Sequence, residues 1–358
     1  MNLTATNAVA YLRSRGHLAP AESTTARELS GGVSNTVIYI ARSGGDDLVL
    51  KQVRRQLKVA ERWYCSIERI WREVDVLRHC ATVIHGSRLD AAFKVDVPRL
   101  LFEDRENYLY AMSAAPSDHV VWKRELLSGT ARSDVASACG TLLGTLHGRS
   151  WHDVSLARQL DDRQFFVDLR LDPYYRQVAG VHEELAPDIE RLIDSVWSQR
   201  HSLVHGDFSP KNLLVYGDRI LLIDFEVGHY GDPAFDVGFF LSHLVLKACY
   251  HAPRDGPFFD LIDAFWNGYC AEMTGAVSPD ELDALIGRGI LNFAGCTLAR
   301  LDGKSRIDYL RDSARRDWMR ELCRVIFKSQ PVQWAEVRRL AGRLLNAAQV
   351  ATHPPGTS

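Results

Sequence analysis

Three polar residues stand at spacings that could do chemistry. Asp207 and Asn212 lie in His205-Gly206-Asp207-Phe208-Ser209-Pro210-Lys211-Asn212, and Asp224 follows in Ile223-Asp224-Phe225-Glu226. Asp207 and Asn212 bracket a tight loop between short strands, and Asp224 closes the next strand. Moving a phosphoryl group needs a base near an acceptor hydroxyl and oxygen ligands for Mg²⁺. The trio supplies both: Asp207 to accept or orient the hydroxyl proton, Asn212 and Asp224 to hold the metal. Asp and Asn also cap turns. A lone aspartate would be read that way, whereas the joint pattern favours the chemical reading.

A complement precedes it. Leu29-Ser30-Gly31-Gly32-Val33-Ser34-Asn35-Thr36 sits between two β-rich runs. Gly31 and Gly32 let backbone amides approach phosphates, and Ser34 and Asn35, with Ser30 at the loop's start, can donate hydrogen bonds. Such a loop is also common without any ligand. It is neither GxGxxG nor GxxxxGK[ST], which disfavours a P-loop fold. Lys51 ends the apolar strand Leu48-Val49-Leu50, where a surface lysine would fit equally well. Glu73 lies in the helix that follows, and a Lys51–Glu73 pair would aim the ammonium at the α- and β-phosphates. Order along the chain raises the odds: glycine loop, lysine, helical glutamate, Asp…Asn, Asp.

The elements that must position these groups can be read from periodicity. Thr36–Ala41 and Leu48–Gln52 are β-rich runs joined by the turn signal Ser43-Gly44-Gly45-Asp46-Asp47. Residues 67, 70, 71, 74 and 77 form the apolar stripe of a helix over Ile67–His79. Arg99–Glu103 and Tyr108–Met112 read as a second hairpin. Ser113–Asp118 breaks the pattern. Beyond it lie helices: one opened by Ser133, another with Ile189, Leu192, Ile193, Val196 and Trp197 on one face, and more from about Phe235 to Ala348. One β-like segment interrupts them, Leu203–Val204, Leu213–Tyr216 and Ile220–Ile223. The expected fold class is α+β and bilobal. Residues 1–115 form a β-rich N-terminal lobe, 116–348 a larger helical lobe, and 349–358 a frayed tail. A cleft between the lobes is where a ligand would sit.

Composition excludes other classes. The 358 residues are 46% hydrophobic and 25% charged with a net charge of −2. That is globular, and it lacks the basic excess of a chain built for nucleic acid or an anionic membrane. No apolar run reaches a membrane span of ~18–20 residues. The start, MNLTATNAVAYLRSRG, has no basic region followed by an apolar core, so a cytoplasmic location is expected. The seven cysteines have no CxxC spacing and mostly apolar neighbours, which suits buried thiols.

Taken together, the motifs resemble those of the aminoglycoside phosphotransferase/choline kinase superfamily, whose fold is protein-kinase-like. HGDFSPKN is similar to that family's HxDxxxxN loop and IDFE to its metal-aspartate motif, the form with Glu226 being similar to choline and ethanolamine kinases. The resemblance spans roughly residues 25–245. It implies ATP and Mg²⁺ as cofactors and catalytic roles for Asp207, Lys51 and Glu73. It makes Tyr110–Ser113, with Met112, a hinge meeting adenine through backbone groups, and puts Glu226 beside the acceptor. A finer likeness is to methylthioribose kinases, in which an insertion carrying Glu-x-Trp separates the lysine from the helix glutamate. Here Glu61-Arg62-Trp63 lies between Lys51 and Glu73. That family has a serine in the catalytic loop and Asp-Pro-Glu at the metal site. This chain has Asn212 and Asp224-Phe225-Glu226, which points to an acceptor other than methylthioribose.

Eleven residues separate Asp224 from Asp236. That is too short for the activation segment of a regulated protein kinase, and Gly206 stands where such kinases carry arginine. The pattern suits a small-molecule kinase, with Asp236 bracing the catalytic loop from a helix start. His147 reads as a helix-end cap. Residues 281–345 hold 13 Arg/Lys and 8 Asp/Glu, a local net of +5. A polycationic acceptor would be better served by an acidic wall; a neutral or anionic one fits this excess. Arg300 and Lys304 could clamp an anionic group on the acceptor, and a helix-end salt-bridge cluster is an equal alternative.

Overall fold

Helix α1 (Ala5–Ser14) is capped by Thr4, whose hydroxyl accepts from the Asn7 amide while Asn7 accepts from the Thr4 amide. The computed structural model describes residues 1–29, 35–54, 65–85 and 93–352. Ser30, Gly31, Gly32 and Ser34, the Glu61-Arg62-Trp63 segment and 353–358 lie outside the described residues. Strands β1 (Thr24–Glu28), β2 (Asn35–Arg42) and β3 (Leu48–Val53) follow α1. Helix α2 (Arg69–His85), strand β4 (Lys94–Asp96) and the hairpin β5 (Leu100–Asp104) and β6 (Leu109–Ser113) come next. The first sheet is antiparallel throughout, in the order β1-β2-β3-β6-β5.

Alternation decides which face each side chain takes. Ile38, Ile40, Leu48, Leu50, Leu109 and Ala111 pack with Tyr11 and Leu12 of α1 in one core. Lys51, next after Leu50, and Tyr110, between Leu109 and Ala111, therefore point to the other face, and the register pairs them with each other. A slip of one residue would drive Lys51 into the α1 core, so burial of the apolar face also locks the lysine in place. Helix α2 buries Ile70, Val74, Leu77 and Ile84 and carries Glu73 among its buried residues.

The second part is helical with small β inserts, so the chain is α+β as expected. Strand β7 (Val120–Val121) leads into α3 (Trp122–Leu127) and α4 (Ser133–Arg149). Short helices α5 (Val154–Gln159) and α6 (Gln164–Phe166) precede a π-wound segment, Val167–Arg176, with α7 (Gln177–Val181) and α8 (Ala186–Ser198) after it. Strand β8 (Ser202–Val204), the hairpin β9 (Leu213–Tyr216) and β10 (Arg219–Leu222), and β11 (His229–Gly231) carry the central motifs. β9 and β10 join a second sheet in the order β4-β10-β9-β7, and β8 pairs with β11. Helices α9 (Ala234–His251), α10 (Gly256–Met273), α11 (Pro279–Asp302), α12 (Ser313–Ser329) and α13 (Trp334–Thr352) complete the body.

Close helix packing holds this body together. A Cβ on Gly140 of α4 would lie 2.0 Å from the Phe265 carbonyl oxygen of α10, and one on Gly268 would lie 2.4 Å from the Ser137 carbonyl oxygen. Only glycine permits that approach. α9 is buried along nearly its whole length. Six of the seven cysteines are buried, Cys270 is half-buried, and all are free thiols. Trp197 departs from the apolar stripe expected for it. It is 45% exposed, with the Arg163 guanidinium 3.9 Å over its ring. It lies in the last turn of α8, where a cation can cover it. Among the described residues no helix is long and apolar enough to cross a membrane.

Candidate active site

The HGD loop connects β8 to β9, and its shape depends on one glycine. Gly206 has φ +74°, and a Cβ there would meet the Val227 carbonyl oxygen at 2.9 Å. From the first turn of α9, Asp236 accepts hydrogen bonds from the His205 amide at 2.6 Å and the Gly206 amide at 2.8 Å. This is the bracing expected of it. His147 does not cap its helix. It is buried, with Nε2 3.4 Å from Asp236 and Nδ1 2.9 Å from the Tyr269 hydroxyl, and so supports Asp236 from behind. Burial pulls the His205 imidazole below its ordinary value, which keeps it neutral. Its Nδ1 accordingly accepts from the Asp207 amide at 3.1 Å.

Asp207 is almost fully buried and is met by three donors. Arg170 lies 2.7 Å from Oδ1, Lys211 2.8 Å from Oδ2, and the Asn212 amide donates to Oδ2 at 2.9 Å. Burial alone would raise this carboxyl, but the charges of Arg170 and Lys211 outweigh it and hold the carboxyl below its usual range. Arg170 also donates to the Gly206 carbonyl at 2.7 Å.

Lys51, Glu73 and Asp224 come together opposite. The Lys51 ammonium is 2.5 Å from Glu73 and 2.7 Å from Asp224. Asp224 has φ +73°, an unusual conformation that Asp tolerates better than most residues. Burial would raise its carboxyl too, yet Lys51 and then Lys211 hold it well below the usual range. Burial pushes the Glu73 carboxyl up, to about 7, against the pull of Lys51. Glu73 also accepts from the Phe225 amide at 3.3 Å, tying α2 to the strand end that bears Asp224.

The donor set suits a hard divalent cation. Asn212 uses Nδ2 toward Asp207, which leaves Oδ1 as an oxygen ligand, and Asp224 uses Oδ1 toward Lys51, which leaves Oδ2. Among the described residues no group of three or more His, Cys, Asp or Glu could hold a metal. An ion here would complete its shell with phosphate oxygens and water, as Mg²⁺ commonly does.

Several expected residues sit elsewhere. Tyr110 lies mid-sheet, paired with Lys51 on one side and Glu103 on the other, with its ring fully buried. Both backbone edges are engaged, so it underlies the lysine and offers no hinge contact to adenine. Met112 and Ser113, half-buried at the strand's end, remain at that edge, although the Ser113 hydroxyl accepts from the Arg99 amide. Glu226 is buried on the side of β2 and α2. Its Oε2 accepts from Asn35 at 3.0 Å and lies 3.3 Å from Arg69 Nε. This engages Asn35 with a carboxylate, and the charge of Glu226 is felt by Lys51, Glu73 and Arg170. Lys304 is exposed beyond the end of α11. Arg300 is half-buried and donates to the Ser305 hydroxyl at 2.7 Å and the Tyr174 hydroxyl at 3.4 Å.

The salt-bridge cluster at that helix end belongs to Asp302. It accepts from Arg320 at 2.7 and 2.9 Å and lies 2.9 Å from His182 Nε2. Burial opposes ionisation, but Arg320 and His182 hold the carboxyl well below its usual value. A depressed folded-state pKa contributes stability above the unfolded value, lost as pH falls through the folded one. Asp302→Asn should therefore lower stability at pH 7 by ~1–3 kcal/mol. Urea unfolding should show that gap closing as the pH drops below ~4, the unfolded aspartate range.

Sequence reasoning missed Arg170 and Lys211. Lys211 was in plain view inside the motif. Arg170 sits in a π-wound segment with Pro173 inside it, where helical periodicity gives no signal.

A small β-rich part over a helical body, with Asp207 and Asn212 facing a Lys51–Glu73–Asp224 set, has the arrangement of the protein-kinase-like phosphotransferases. The model of the Phosphotransferase enzyme family, APH, matches residues 25–285, and the chain belongs to that family. It is 26% identical to a methylthioribose kinase of Yersinia pseudotuberculosis serotype O:1b (strain IP 31758), over 69% of this chain and 65% of that one. The match thus spans less than two thirds of that relative's length. A methylthioribose kinase of Exiguobacterium sibiricum is 28% identical over 83% of this chain and 84% of its own. Choline kinase from Cryptosporidium parvum Iowa II shares the fold, with TM-score 0.52 at 10% identity, over 94% of this chain and 96% of that chain.

Proposed function

We propose that the chain is an ATP- and Mg²⁺-dependent kinase that phosphorylates a hydroxyl of a small molecule. The observation that carries this reading is the convergence of Asp207 and Asn212 with Asp224 and Lys51. Asp207 orients the acceptor hydroxyl and takes its proton, and Arg170 and Lys211 keep it ionised for that task. Lys51, aimed by Glu73, holds the α- and β-phosphates. Asn212 and Asp224 would hold Mg²⁺, which neutralises charge on the phosphates. Ser30, Gly31, Gly32 and Ser34 would supply donors above the phosphates, and Met112 and Ser113 would border the adenine. Because Asp236 clamps the HGD loop directly, the catalytic loop needs no phosphorylation to assemble. Rate enhancement comes mainly from positioning and charge neutralisation, with the base adding about 10²–10⁴-fold.

The test is ADP release with ATP and Mg²⁺ over a panel of hydroxyl acceptors: sugars, sugar phosphates, hydroxy acids, nucleosides, choline, methylthioribose and aminoglycosides. At least one class should raise ADP release well above the acceptor-free rate, with phosphate recovered on the acceptor. Nucleotide binding with no transfer to any class would favour a nucleotide-binding scaffold instead.

A further inference from the structure

Next to the base lies a group of buried and half-buried basic residues that the reading above does not use. His243 and Lys247 stand one turn apart on α9, 8% and 0% exposed. Lys247 donates to the His243 carbonyl of its own helix at 3.1 Å, and its ammonium lies 5.5 Å from the Tyr309 ring centroid. Lys123 of α3 and Arg300 of α11 bring two further charges, and His243 is depressed first by burial and then by Lys247, Arg300, Lys211 and Lys123.

Among the described residues neither Lys123, Lys247 nor Arg300 has a carboxylate within 4 Å; the acid nearest in effect is the exposed Asp308, felt by Lys123. Three polar atoms buried here have no hydrogen-bond partner: His243 Nε2, Arg300 Nε and the Tyr309 hydroxyl. Burial, then Lys123 and Arg300, pull the Lys247 ammonium down to about 7. Buried cations and donors left unpaired are costly, and a bound anion would satisfy them together.

Contacts tie this group to the chemistry. Arg170, on Asp207, lies 5.5 Å from the Tyr174 ring and 5.6 Å from the Phe239 ring. Tyr174 receives a hydrogen bond from Arg300, and Phe239 packs edge-on against His243 at 5.0 Å. We infer that the acceptor is a hydroxy anion, whose carboxylate or phosphate is held by His243, Lys247 and Arg300 while its hydroxyl meets Asp207. This rests on the kinase reading of Asp207 and narrows it to one class of acceptor.

The experiment compares matched pairs, glycerate with glycerol and ribose 5-phosphate with ribose, on wild type, Lys247→Met and Arg300→Gln. In wild type the anionic member of at least one pair should exceed its neutral partner in kcat/KM by about 100-fold, and which pair responds separates carboxylate from phosphate. Either variant should raise the anionic KM by about 10- to 100-fold, the loss of a charge-assisted hydrogen bond, with the KM for ATP within a few-fold. Met matches the lysine stem without a buried charge, so that variant should fold at least as stably as wild type. Neutral acceptors used as well as anionic ones, or a folded Lys247→Met with unchanged preference, would overturn the inference while leaving the kinase reading intact. Inorganic phosphate provides a readout free of turnover. It should raise the melting temperature of wild type more than that of Lys247→Met. Phosphate binding through Lys247 without any transfer would keep the anion site and sink the kinase reading. Equal shifts in the two proteins would count against the site.

Discussion

Asp207→Asn should lower turnover by at least about 10³-fold, a loss within the range of a general base and its alignment, while ATP affinity stays within a few-fold. The substitution removes the proton acceptor and keeps its size. The Asn212 amide retains an oxygen to donate to, and the Lys51–Glu73–Asp224 set is untouched. What changes is charge: Arg170 and Lys211 lose the carboxylate they share. Arg170 is the more exposed to that loss energetically, because it is buried and its remaining partners are neutral carbonyls. Some loss of stability is therefore expected as well, and a melting curve separates it from lost chemistry. Single-turnover phosphate transfer and equilibrium ATP titration give the rest. Near-normal turnover in the folded variant would refute the role of Asp207.

Asp224→Ala should abolish the Mg²⁺ dependence of nucleotide binding. Lys51 would keep Glu73 as partner, so the ammonium would remain but the metal would lose its charged protein ligand. Alanine at φ +73° also bears a left-handed strain of ~1–2 kcal/mol that Asp and Asn tolerate better. Asp224→Asn is the control for that strain, and it too should respond weakly to Mg²⁺. Nucleotide affinity measured across a Mg²⁺ titration decides the matter. A response like that of wild type in either variant would remove Asp224 from the metal site.

The elements were legible where a local period governs. Strands β2, β3, β5, β6, β9 and β10 fall where alternation and turn residues put them, and α2 and α4 follow apolar stripes. Legibility failed where long-range packing decides. Tyr110 carries no local mark separating a ring buried beneath Lys51 from a hinge residue; sheet pairing on both sides makes the difference. Glu226 follows Asp224 by two residues, and nothing local in the sequence announces its contacts with Arg69 and Asn35, which come from α2 and β2. His147 reads as a helix-end residue until Tyr269 and Asp236 enclose it.

What the amino-acid order determined by itself is the kind of chemistry and the strands and turns that carry it. A loop motif and a strand-end aspartate need only a few neighbouring residues to be recognised, and period-two alternation is local. The tertiary structure alone decided which charges surround that chemistry. Arg170 reaches Asp207 from 37 positions upstream, and His243, Lys247 and Arg300 approach one another from two helices. Electrostatic energy depends on separation in space and on burial, and neither quantity is written in the spacing of residues along a chain.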